Sequence, residues 1–124
     1  MGRAEILLVD DEQDILDIAI FALHDAGFDA LPAINGDVAL ILLEQGLPFR
    51  VLITDVVMPG FLDGYGLARR AKELRPDIRV IYTTGFSGAS SVRSAGAPEG
   101  ETLVKPWKCE DLVRIVSTML ATPA

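Results

Sequence analysis

Four short apolar runs in this chain each end at a charged or hydroxyl-bearing residue. Glu5-Ile6-Leu7-Leu8-Val9 runs into Asp10-Asp11, and Val51-Leu52-Ile53-Thr54 into Asp55. Val80-Ile81-Tyr82-Thr83 runs into Thr84, and Thr102-Leu103-Val104 into Lys105-Pro106. Runs of Val, Ile and Leu without alternation suit strands buried on both faces of a parallel sheet. A weaker strand fits near 29–33, so the pattern predicts five strands, near 4–9, 29–33, 51–55, 79–84 and 101–105.

Between them the apolar spacing becomes helical. Ile15, Ile18, Ala19, Ala22 and Ala26 mark a first helix stopped at Gly27. Asn35 is a natural N-cap for a second helix through Val38, Ile41 and Leu42, ending at Gly46. Leu67, Ala71 and Leu74 mark a third, closed at Arg75-Pro76 because the residue before proline disfavours helix. Leu112, Ile115, Val116 and Met119 mark the last. The stretch from 86 to 101 holds one large aliphatic residue, Val92, among small polar residues and glycines. The helix between the fourth and fifth strands is therefore expected to be short or irregular. Alternating strands and helices with right-handed crossovers give an α/β fold, a doubly wound five-stranded parallel sheet with helices on both faces.

Length allows one domain, 1–124. A net charge of −7 argues against direct binding to nucleic acid. No apolar run approaches the length of a membrane span, and no signal-peptide pattern is present. The lone Cys109 has no disulfide partner and no metal-ligand cluster, which fits a reducing cytoplasm.

Ligands of parallel sheets bind beyond the carboxyl ends of the strands. That rim would gather Asp10, Asp11, Asp55, Thr84 and Lys105. Three carboxylates repel one another and call for a cation, and Mg²⁺ is the hard, oxygen-seeking ion that shares such sites with phosphate. Asp55, alone on its strand end, is the candidate nucleophile toward phosphorus. Thr84 can donate to a phosphoryl oxygen, and Lys105 can neutralise one. Taken singly, an Asp at a strand end is most often a turn or helix cap, as Asp11 or Asp14 could be. Four strand ends carrying a compatible set are harder to ascribe to capping. His24, late in an amphipathic helix, and Cys109 have simple structural readings.

With Leu8-Val9-Asp10-Asp11-Glu12, Asp55-Val56-Val57-Met58-Pro59, Asp63-Gly64, Thr84-Gly85 and Lys105-Pro106 in order, the chain resembles the receiver domain of two-component response regulators over essentially its full length. The resemblance implies a flavodoxin-like receiver fold. It implies that Asp55 accepts a phosphoryl group from a phosphohistidine of a histidine kinase or phosphotransfer domain, switching binding to a downstream protein. It also implies Mg²⁺ held by Asp11, Asp55 and the backbone carbonyl of Val57, with Asp10 assisting through water. Three departures stand out. The Met58-to-Gly64 loop is one residue longer than in the commonest receivers, as in receivers attached to hybrid kinases. Thr102 stands where many receivers carry a switching Tyr or Phe. Tyr82-Thr83-Thr84-Gly85-Phe86-Ser87 is similar to the Phe-Ala-Thr-Gly-hydrophobic-Tyr signature of a receiver subgroup.

Signalling is therefore expected to run through the 85–100 segment rather than through position 102, and Lys105–Pro106 is a candidate for a cis bond. The start at Met1-Gly-Arg-Ala and the short tail after Leu120 favour a stand-alone regulator without an output domain. The alternative is a small phosphatase with an Asp nucleophile. That chemistry wants Asp-x-Asp on the first strand, which Asp10-Asp11-Glu12 lacks. No nucleotide-binding glycine loop is present.

Overall fold

In the computed structural model, residues 5–58, 62–85 and 97–121 are described. The strands are β1 (Ile6–Val9), β2 (Ala30–Ala33), β3 (Val51–Asp55), β4 (Arg79–Thr84) and β5 (Glu101–Val104). The helices among the described residues are α1 (Gln13–Asp25), α2 (Gly36–Glu44), α3 (Gly64–Leu74) and α4 (Cys109–Ala121). All strand pairs are parallel, in the order β2-β1-β3-β4-β5. The predicted doubly wound sheet is present. The stretch expected to hold a short or irregular helix falls largely on 86–96, outside the described residues.

Successive strand residues face opposite ways and build two cores. Leu7, Val9, Leu52, Val80 and Tyr82 pack with α2 and α3, while Ile6, Leu8, Ile53 and Ile81 pack with α1 and α4. This double burial is why the strands read as unbroken apolar runs. β5, at the edge, buries only Leu103 and leaves Thr102 exposed.

Helix boundaries follow local chemistry. Asn35 caps α2 by accepting the Val38 N–H at 2.8 Å. Asp63 caps α3 by accepting the Gly66 N–H at 2.7 Å. Gly27 and Gly46, beyond α1 and α2, have φ of 94° and 80°, left-handed values that suit glycine.

The buried stripes of two helices differ from those the sequence suggested. In α1 the buried residues are Leu16, Ala19 and Leu23, whereas Ile18 is 55% exposed. In α2 they are Gly36, Ala39 and Leu43, and Ile41 is 56% exposed. Both helices are apolar on adjacent stripes, so a 3.6-residue period fits either one. In α4 the expected stripe holds, with Leu112 and Val116 buried and Ile115 and Met119 packed beside them. No helix among the described residues is long and apolar enough to cross a membrane.

Candidate phosphoacceptor site

The sheet reverses its winding between β1 and β3, and a crevice opens there beyond the strand ends. Val9 pairs with Thr54 and Asp55 with Thr83, so Asp10 and Asp55 leave their strands at neighbouring levels. Thr84 ends β4, and the Lys105 N–H donates to the Thr84 carbonyl at 2.7 Å, carrying the β5 path to the same rim. Register alone thus brings the predicted residues together.

Asp10 is buried and fully engaged. Its Oδ1 accepts the Glu12 N–H at 2.9 Å, forming the turn into α1, and its Oδ2 lies 3.0 Å from Lys105 Nζ. The turn-forming role considered for Asp11 or Asp14 belongs to Asp10. Asp11 is exposed beside it. Asp55 is 6% exposed. Its Oδ2 accepts from Lys105 Nζ at 3.0 Å, and its Oδ1 has only a long 3.4 Å contact from the Val57 N–H. Carboxylate oxygens of Asp10, Asp11 and Asp55 all lie within 4.8 Å of one another. Thr84 is buried at the rim, and the Val57 side chain is exposed. The Lys105–Pro106 bond is cis.

Burial is the largest influence on the Asp55 carboxyl and lifts it above its ordinary 3.8. The Lys105 hydrogen bond and charge pull it back, the Asp10 charge adds to the rise, and the Val57 N–H opposes it. Burial pulls Lys105 down, but hydrogen bonds and charge from Asp55 and Asp10 outweigh that, holding its ammonium above 10.5. One half-buried ammonium thus serves two carboxylates while the third stands in solvent. A close set of hard oxygen donors with negative charge to spare suits a small divalent cation such as Mg²⁺.

Of two further contributors, Thr54 carries little signal in the sequence and Gly64 is visible there only as part of a motif. The Thr54 hydroxyl donates to the Asp55 carbonyl at 3.0 Å. Gly64 packs so tightly that a Cβ would sit 2.1 Å from the Asp55 carbonyl oxygen, while its N–H donates to the Val56 carbonyl at 2.9 Å. Any side chain at 64 would push the α3 N-terminus off the chain at the end of β3, which explains the glycine in Asp63-Gly64. His24 stands apart from the rim, where its Nε2 takes a long 3.4 Å contact from the Ala30 N–H. Cys109 is the first residue of α4.

Comparisons with known proteins agree with this geometry. The family model "Response regulator receiver domain" matches residues 6–117. The "Response regulator receiver protein CpdR" of Brucella abortus is 38% identical, over 93% of this chain and 95% of that protein. The "Sensor kinase CckA" of the same organism is 34% identical over 96% of this chain, which spans 13% of the kinase. Among solved structures, a CheY-like receiver domain from Methanospirillum hungatei superposes with a TM-score of 0.85 at 29% identity, covering 95% of this chain and 94% of that one. A receiver protein from Sinorhizobium medicae gives 0.85 at 30% identity, covering 96% and 95%. The chain belongs to the response regulator receiver domains of two-component signalling.

Proposed function

We propose that Asp55 accepts a phosphoryl group from a phosphohistidine on a histidine kinase or histidine phosphotransfer domain, and that its phosphorylation changes which downstream protein the domain binds. One observation carries the choice of Asp55. Both oxygens of Asp10 are committed, one to the Glu12 N–H and one to Lys105, and Asp11 is exposed. Asp55 is buried at the rim as Asp10 is and is oriented by Lys105 through Oδ2, but its Oδ1 is only weakly engaged.

In the transfer, a lone pair of the Asp55 carboxylate forms the new O–P bond as the P–N bond to the imidazole breaks. The bonding pair returns to the nitrogen, which takes a proton from water. Lys105 is held charged beside the incoming phosphoryl oxygens, and Thr84 supplies a hydroxyl donor at the same rim. Receiver domains generally use Mg²⁺. Asp11, Asp55 and the Val57 carbonyl would hold it, with Asp10 acting through water. When bound, the ion neutralises charge on the transferring group.

The domain assists its own phosphorylation and later hydrolysis, so it acts as an acceptor rather than as an enzyme with a separate substrate. A cytoplasmic setting and no direct contact with nucleic acid fit the lone cysteine and the −7 charge. Incubation with acetyl phosphate and Mg²⁺ tests the reading. One acid- and hydroxylamine-labile phosphoryl group per chain is expected, whereas steady turnover of a phosphate ester without a labelled protein would point to a phosphatase.

A further inference from the structure

The end of the sheet opposite Asp55 carries a second concentration of charge. Arg50 stands one residue before β3, Arg79 opens β4, and Arg75 follows the last residue of α3. All three line a half-open cavity of about 440 Å³ between the α3–β4 connection and the last turn of α4. That volume lies in the range of small-molecule sites. Five residues of β3 path, roughly 16 Å at ~3.3 Å per residue, separate Arg50 from Asp55. The chain carries 18 Asp and Glu against 11 Lys and Arg, so three guanidiniums at one cavity run against its prevailing charge.

Two of the three have evident structural work. Arg50 pairs with Glu5 at 3.5 Å and donates to the Leu120 carbonyl at 3.3 Å. Arg79 donates to the Met119 carbonyl at 2.8 Å. Both satisfy carbonyls at the end of α4, where cations are favoured. Arg75 does neither. Its Nε is buried and has no hydrogen-bond partner among the described residues. A buried guanidinium nitrogen without an acceptor costs free energy, and Arg75 also lines the cavity, where an anion would meet its charge. Asp77 is the one carboxylate in the lining, and it is exposed, so positive charge remains in excess. Leu74 and Pro76 add exposed apolar wall beside Arg75.

We propose that this cavity binds a small organic anion, a phosphate or carboxylate head on an apolar body, with Arg75 as its principal contact and Arg50 at its flank. Guanidinium groups match the planar, two-pronged geometry of such heads. The site is separate from the phosphoacceptor rim and does not depend on it.

The test is an amide NMR titration of the intact chain in buffer free of divalent cations. Phenyl phosphate and benzoate serve as the phosphate and carboxylate probes, with inorganic phosphate and sodium chloride as controls. Signals of residues 74–79 and 119–120 should shift saturably with one of the two organic probes. Arg75→Gln should weaken binding at least tenfold, Arg50→Gln less, and Asp55→Asn not at all. Arg75→Lys keeps the charge but not the fork. It should weaken binding several-fold, and it covers the case in which Arg75→Gln does not fold. No saturable shift, equal shifts with sodium chloride, or unchanged affinity in the arginine variants would overturn the proposal. Inorganic phosphate binding as tightly as phenyl phosphate would remove the apolar part of it.

Discussion

Replacing Lys105 with Ala would remove the ammonium shared by Asp10 Oδ2 and Asp55 Oδ2, each 3.0 Å away. At an effective dielectric constant of about 20, each contact is worth about 5 kcal/mol of Coulomb energy. On the same basis, repulsion between the buried Asp10 and Asp55 carboxylates, whose oxygens lie within 4.8 Å of one another, is at least about 3 kcal/mol. In the intact protein the attraction is largely offset by the cost of withdrawing the charges from water, since the Lys105 side chain is 17% exposed and that of Asp55 9%. Deleting the lysine leaves that cost uncompensated, and stranding buried partners typically costs roughly 3–5 kcal/mol. Proton uptake limits the damage, because Asp55 already sits above its ordinary value and can rise further. The expected loss at pH 7 without metal is therefore at the lower end, about 3 kcal/mol, or a fall in Tm of roughly 10 °C. Urea unfolding reads it directly. Adding Asp55→Asn to Lys105→Ala should recover about half of the loss, and Mg²⁺ should still stabilise the single variant because the ammonium is not a ligand. A loss below about 1 kcal/mol, the scale of a surface ion pair, or a loss untouched by Asp55→Asn would refute the reasoning.

Further consequences concern the same rim. The carboxyl of Asp55 is lifted above 3.8, so folding takes up a proton and the ionised group costs stability at every pH above that window. Asp55→Asn should raise the urea midpoint at pH 7, with the gain vanishing below about pH 3.8; an equal gain at both pH values would contradict the sign. Mg²⁺ should raise the Tm of the unphosphorylated domain by binding the folded state only, and Asp11→Ala should abolish that rise. The phosphorylated form should persist for many minutes, because hydrolysis needs an oriented water and the side chain two residues after Asp55 is the exposed, apolar Val57. Phe86, outside the described residues, is the other apolar position expected there. The Val57→Asn, Phe86→Glu double variant should speed loss of label, by up to about 10²-fold, and decay of the unmodified protein within seconds would contradict it.

The rim was readable in the sequence because parallel strands buried on both faces leave uninterrupted apolar runs whose ends are sharply marked. Asp10, Asp55, Thr84 and Lys105 each follow such a run, and the register of the sheet converts their positions along the chain into proximity. The helix faces were less readable. α1 is apolar at 15, 16 and every position from 18 to 23, so its period fits the buried Leu16–Ala19–Leu23 stripe and the exposed one through Ile18 equally well. That Asp10 rather than Asp11 forms the turn into α1 escaped the sequence, because it depends on which carboxylate turns back to the Glu12 N–H. Gly64 was visible as a motif, but its reason, contact with the Asp55 carbonyl, is a tertiary distance. The expectation that signalling runs through 85–100 rests mainly on residues outside those described.

The central claim is that Asp55 alone receives the phosphoryl group, and direct mapping tests it best. The chain would be phosphorylated by a purified phosphohistidine donor with Mg²⁺, treated with borohydride to convert the acyl phosphate to a stable alcohol, and sequenced by mass spectrometry. The account predicts homoserine at position 55 and no labelling of Asp55→Asn. Modification at Asp10 or Asp11, or undiminished labelling of Asp55→Asn, would contradict it.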